Sequence, residues 1–225
     1  METTLLQLPE TLLDAEAFPV RNQEGLNSCT ACAFADLIGF SLPEKKRLSP
    51  LFLYYQARKL IDEVYLNASL EFGDVLKAYQ QFGICEEVLW PYNTQKFAQQ
   101  PLPEACANAK AEGRLTIQTV PQEHEALASR LLAGKPIFCG IRIYAANFRS
   151  FERGEIATTG YMPNIPVGEH LMLNHAILLV GYDSERNTFW ARNSAGKAWG
   201  INGHVEIEAA YILDEHKAFY LFEAH

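Results

Sequence analysis

Cys29 lies six residues after Gln23, in the stretch Gln23-Glu24-Gly25-Leu26-Asn27-Ser28-Cys29, and Ser28 is a fitting cap for a helix over Cys29–Phe40. A thiol in the first turn of a helix sits at the positive end of the helix dipole, which favours thiolate. To catalyse acyl transfer, that thiolate needs a proton shuttle, normally histidine, and donors for the developing oxyanion. The Cys29 backbone N–H and the Gln23 side-chain amide can be those donors. His175 opens the most apolar strand, Asn174-His175-Ala176-Ile177-Leu178-Leu179-Val180-Gly181-Tyr182, and Asn193 follows a second strand. If the two strands are sheet neighbours joined by a turn at 184–187, His175 and Asn193 share one end of the sheet. A neutral amide there could accept the Nδ1 proton and steer the ring. Taken singly, each residue reads as ordinary packing or turn chemistry; the combination carries the signal.

The elements that must position these groups change character midway. Ser49-Pro50 starts a second helix running to about Val64, and Ser69 caps a third that stops at Gly83. A short helix covers 124–132. Beyond it, 137–144, 176–182, 188–192, 204–208 and 218–222 are rich in β-branched and aromatic residues and predict strands. Segment 145–173 carries Gly, Pro and Asn and reads as a long loop. Helices first and strands second predict an α+β chain with a helical lobe over about 18–115, a β-rich lobe over about 116–225, and a site in the groove between them.

Bulk properties restrict the function. The 225 residues carry 27 acidic against 19 basic groups, a formal charge of -8, with no Lys/Arg cluster. Neither nucleic acid nor an anionic membrane is an expected partner. No apolar run approaches the ~20 residues of a membrane span. Met1–Asp14 lacks the pattern of a secretory signal, and five cysteines are too few and scattered for a disulfide scaffold. Reduced thiols in a cytosol are expected, with export by a route needing no cleaved signal left open. His170 has no Cys or acidic neighbour at ligand spacing and reads as a loop residue, so neither metal nor cofactor is expected. Cys85, Cys106 and Cys139 read as packing residues.

With these residues in view, the chain resembles the papain family of cysteine peptidases, in its bacterial branch. Three ordered blocks carry the resemblance: Gln23 with Cys29; Asn174-His175-Ala176 with Val180-Gly181-Tyr182; and Asn193-Ser194-Ala195-Gly196 with Trp199-Gly200-Ile201-Asn202-Gly203. Leu48-Ser49-Pro50, the helix at 70–82 and Gly83 through Trp90-Pro91-Tyr92 are weaker matches, and coverage is about 18–223. The resemblance implies a papain-like fold with a β-barrel-like second lobe. It implies peptide hydrolysis through a Cys29 acyl-enzyme, with His175 as base, Asn193 as its orienting group and Gln23 at the oxyanion. Cys32 is a second candidate nucleophile, because family nucleophiles often sit second in Cys–x–x–Cys; the six-residue spacing from Gln23 favours Cys29, with Leu26 then at the disulfide position.

Two departures bear on activity. Thr30 stands where an aromatic residue usually follows the nucleophile, and Ala195 where the family usually has a Trp covering the His–Asn bond. Phe34 or Trp199 could supply that ring instead. The resemblance further implies that Asn67, Ala68 and Ser69 pair with an extended substrate. Leu173 and Gly140 would line the main specificity pocket, Leu173 favouring an apolar side chain and Gly140 leaving room for a large one. Peptide or protein substrates are the implied partners. No prodomain is expected before residue 18, which leaves restraint to a separate protein inhibitor. The same site could pass its acyl group to an amine, and the two departures also allow an inactive binding module.

Overall fold

The computed structural model describes residues 18–111, 114–165 and 170–225. The expectation drawn from Met1–Asp14 lies outside these residues. The chain divides into two compact units: Gln23–Gln118 with Ala224–His225, and the described residues up to Asn22 with Thr119–Glu223. Segment 18–22, which the sequence suggested for the helical half, thus groups with the strands.

The first unit is helical: α1 (Cys29–Ser41), α2 (Pro50–Leu60), α3 (Phe72–Phe82) and α4 (Pro103–Ala111). α1 is buried at every position from Thr30 to Phe40, so it shows no amphipathic stripe. At the start of α2, the Ser49 hydroxyl accepts from Phe52 N (3.1 Å) and donates to Trp90 O (2.6 Å). α2 stops at Leu60, short of the expected Val64, because Arg58 pulls the following chain back on itself. Its guanidinium donates to Tyr54 O (3.0 Å), Val64 O (2.5 Å), Leu66 O (2.9 Å) and Phe97 O, and lies over the Tyr54 ring. Glu71, not Ser69, caps α3, with Asp74 returning a carboxylate to the Glu71 N–H. α3 ends at Gly83 with φ +76°, where a Cβ would meet Ala109 O at 1.9 Å.

The remaining elements are β1 (Ile117–Thr119), α5 (His124–Leu132), β2 (Ile137–Tyr144), α6 (Ala145–Arg153), α7 (Glu155–Thr159), β3 (Tyr161–Met162), β4 (Leu171–Asp183), β5 (Thr188–Arg192), β6 (His204–Glu208), α8 (Ala209–Ile212) and β7 (Ala218–Ala224). The sheet order is β1-β7-β2-β4-β5-β6-β3, with β2, β7, β4, β5 and β6 joined antiparallel and β3 parallel to β6. The expected barrel-like lobe is therefore an open sheet, since its outermost strands β1 and β3 do not pair with each other.

The expected loop at 145–173 is largely structured. The Asn147 carboxamide accepts from the Tyr144 N–H (3.1 Å) and starts α6; Gly154 and the left-handed Gly160 end α6 and α7. Phe148, Phe151, Ile156 and Met162 of this segment pack on the core beneath β2 and β4, with Ile141, Ile177 and Trp199. Burying each such side chain contributes about 1.5–3 kcal/mol, enough to override the polar composition.

Candidate active site

Cys29 is the first residue of α1 and is partly exposed, whereas Cys32, one turn on, is buried. Ser28 precedes the helix as expected but makes no side-chain capping bond. Its hydroxyl lies 2.7 Å from that of Tyr92, which donates to Gln23 O at 2.9 Å. The Tyr92 hydrogen is thereby used, so Ser28 is the donor to Tyr92. Burial keeps Tyr92 protonated well above the ordinary phenol range. The Gln23 side chain donates to Leu26 O (2.9 Å), which fixes the amide within its own turn.

Asn67 organises the loop ahead of Cys29. Its Oδ1 accepts from Asn27 N (2.8 Å) and the Tyr54 hydroxyl (2.8 Å), and its Nδ2 donates to Gly25 O (2.9 Å). The Asn67 and Ala68 carbonyls also accept bonds, from Asn27 Nδ2 and the Tyr54 hydroxyl. Thr30, at the aromatic position, donates to Leu70 O at 2.8 Å and ties α1 to the same segment. Asn67 and Ala68, expected to pair with substrate, thus hold the loop that precedes Cys29; Ser69 beside them is exposed.

Burial raises the Tyr54 hydroxyl to about 12, against the pull of the Arg58 guanidinium, and burial likewise takes Tyr211 and Tyr161 to about 12. These groups stay protonated in the fold at pH values where the unfolded chain ionises near 10. The unfolded state then binds fewer protons, so stability falls as pH rises from 10 towards 12. Thermal melts at intervals from pH 9 to 12 should show Tm dropping across that window; a flat Tm to pH 12 contradicts the assignment.

In the second unit, β4 carries His175 and the end of β5 leads into Asn193. His175 Nε2 is 2.8 Å from Asn193 Oδ1, which also accepts the Ser194 N–H at 2.7 Å. A backbone N–H can only donate, so the shared atom is the amide oxygen and Nε2 carries the ring proton. This corrects the expected Nδ1 bond: in the neutral ring, Nδ1 instead holds the lone pair that can receive a proton. Asn193 is 4% exposed.

The loop after Asn193 is pinned on several sides. Asn193 N donates to Gly203 O (3.0 Å), Gly196 N to Arg21 O (2.8 Å) and Gly200 N to Ala157 O (2.7 Å). Asn22 bridges Ala195, and Arg192 Nη2 donates to Phe18 O (2.9 Å) and Pro19 O (2.8 Å).

The two expected pocket residues have different surroundings. Leu173 lies opposite Ile143 and packs against the core. Gly140 lies opposite Ala176, three residues along, and this odd offset directs the two positions to opposite faces of the sheet. The space above Gly140 is filled, since a Cβ there would meet the Phe219 ring at 2.7 Å.

The rings proposed to cover the histidine also differ from expectation. Phe34 packs on Phe72 and Tyr79 within the helical unit. Phe151, a ring the sequence reading did not name, packs against His175 with centroids 5.4 Å apart, and Trp199 packs on Phe151. The sequence signal for Phe151 is its three-residue spacing from Phe148 in a segment whose polar residues conceal a helix. Among the described residues no group of three His, Cys, Asp or Glu could hold a metal ion, and no helix is long and apolar enough to cross a membrane. All five cysteines are free thiols.

This architecture is that of a papain-like cysteine protease. Xylellain, a cysteine protease from Xylella fastidiosa, superposes with a TM-score of 0.81 at 24% identity, covering 100% of this chain and 88% of that one. A cysteine protease of Carica candamarcensis in complex with E-64 gives 0.62 at 21% identity, covering 96% and 98%. The sequence profile of the papain family cysteine protease matches residues 14–216, and the chain belongs to that family. An uncharacterized peptidase C1-like protein of Acanthamoeba polyphaga mimivirus is 29% identical, covering 95% of this chain and 70% of that protein. Cathepsin Q of Rattus norvegicus is 26% identical over 84% of this chain and only 54% of its own length. Relatives from a virus, a mammal and a bacterium assign no branch within the family.

Proposed function

We propose that the protein is a cysteine endopeptidase that cleaves peptide bonds through an acyl-enzyme on Cys29. The observation that carries this reading is the His175 Nε2–Asn193 Oδ1 bond, which leaves Nδ1 as the basic atom of the neutral ring. Cys29 Sγ bonds to the scissile carbonyl carbon, and His175 takes the thiol proton and delivers it to the leaving amine. Water then attacks the thioester, His175 receives its proton, and the carboxylic acid departs as the thiol is restored. The Cys29 N–H and the Gln23 amide stabilise the oxyanion. Asn193 holds the imidazole in its Nε2–H tautomer. Leu173 suits an apolar substrate side chain.

E-64, bound in the Carica candamarcensis enzyme, is a direct probe. Incubation at neutral pH followed by peptide mass mapping should place one adduct on Cys29. The label should vanish in Cys29→Ala and persist in Cys32→Ala. An unlabelled Cys29, or a label that moves to Cys32, overturns the assignment. Product mass spectrometry with added amines separates hydrolysis from acyl transfer.

A further inference from the structure

We propose that Phe151 is a positioning residue for His175, holding the imidazole in plane with Asn193 and keeping water off their hydrogen bond. The proposal rests on the reading of His175 as the catalytic base, but the contact itself is a property of the second unit alone. Phe151 meets the His175 ring edge-on, with centroids 5.4 Å apart and planes at 71°. Such pairs contribute about 0.5–1.5 kcal/mol beyond simple burial and prefer a defined angle.

Phe151 is itself held from behind. Its ring packs on Trp199 at 5.2 Å, and its backbone carbonyl accepts the Trp199 Nε1–H at 2.8 Å. Trp199 belongs to the loop that begins at Asn193, and Gly203 N donates to Trp199 O at 2.7 Å. Asn193, His175, Phe151 and Trp199 thus form a closed circuit: the loop that presents the amide also braces the ring lying on the imidazole. Ala195, two residues past Asn193, offers only a methyl group and cannot supply that cover. Phe151 is 6% exposed while His175 is partly open, so the apolar ring meets a side chain that solvent can otherwise reach. A hydrogen bond shielded in this way resists competition from water.

The test uses the ring proton directly. In protein labelled with nitrogen-15 histidine, the His175 Nε2–H signal should exchange with water at least tenfold faster in Phe151→Ala than in wild type. Trp199→Phe, which keeps a ring but removes the bond to the Phe151 carbonyl, should give a smaller rise. Phe151→Leu should restore most of the protection. On a peptide substrate, Phe151→Ala should lower kcat about tenfold with KM within twofold. Unchanged exchange in folded Phe151→Ala overturns the proposal; if that variant does not fold, unchanged exchange in Trp199→Phe does so. A wild-type protein that cleaves no peptide would defeat the catalytic reading while the exchange measurement still decides the role of Phe151.

Discussion

Cys29→Ala and His175→Ala are each expected to lower kcat/KM by roughly 10³- to 10⁶-fold, and the double variant no further than the worse single one. In the proposed mechanism nucleophile and base act as one unit: without the thiol there is nothing for the imidazole to deprotonate, and without the imidazole the thiol has no shuttle. Residual turnover would come from substrate binding and from the Gln23 amide and Cys29 N–H. Initial rates on a peptide library rich in apolar side chains provide the measurement. Additive losses would mean that the two residues act in separate steps, and an active Cys29→Ala would remove the acyl-enzyme altogether. Asn193→Ala should be milder, because it frees the ring to rotate but keeps both reacting atoms.

Arg58→Leu is expected to destabilise the fold by about 3–5 kcal/mol, or about 10 °C in Tm for a chain of this length. Arg58 is fully buried, and its partners are backbone carbonyls and the faces of Tyr54 and Phe97. Leucine fills part of the volume but leaves Val64 O, Leu66 O and Phe97 O without the donor that satisfies them. The damage should extend to activity, since the segment these bonds shape leads directly into Asn67 and its bonds to the loop before Cys29. Arg58→Lys should recover only part of the loss, because an ammonium cannot reproduce the planar fork. Differential scanning calorimetry provides the check; a Tm within about 2 °C of wild type would refute the role.

Much of the fold was legible because its strands announce themselves. Ile137–Tyr144, Thr188–Arg192 and His204–Glu208 are short, β-branched or aromatic, and bounded by turn residues, and the structure gives them the bounds read from composition. α6 and α7 were not legible. Arg149, Ser150, Glu152 and Arg153 break the apolar pattern, and only tertiary burial of Phe148, Phe151 and Ile156 makes the segment helical. Closure of the sheet was equally hidden, since strand composition does not say whether the outermost strands meet. At the site, strand ends pointed to His175 and Asn193, which the fold joins by one hydrogen bond. The choice of ring nitrogen depends on backbone direction, and Phe151 depends on a helix read as a loop. The bonds from Asn67 to Gly25, Asn27 and Tyr54 span long stretches of chain and leave no local trace.

The anchoring of the loop after Asn193 bears on how the protein is prepared. Arg192, 2% exposed, relies on the carbonyls of Phe18 and Pro19, and Gly196 relies on that of Arg21. An affinity tag removed by cleavage upstream of residue 18 would leave this anchorage whole. A cut, or a start codon placed, between 18 and 22 would strip acceptors from a buried cation and slacken the turn that presents Asn193, so that, under the proposed role of Asn193, a seemingly harmless trimming at one end would read out as a catalytic defect.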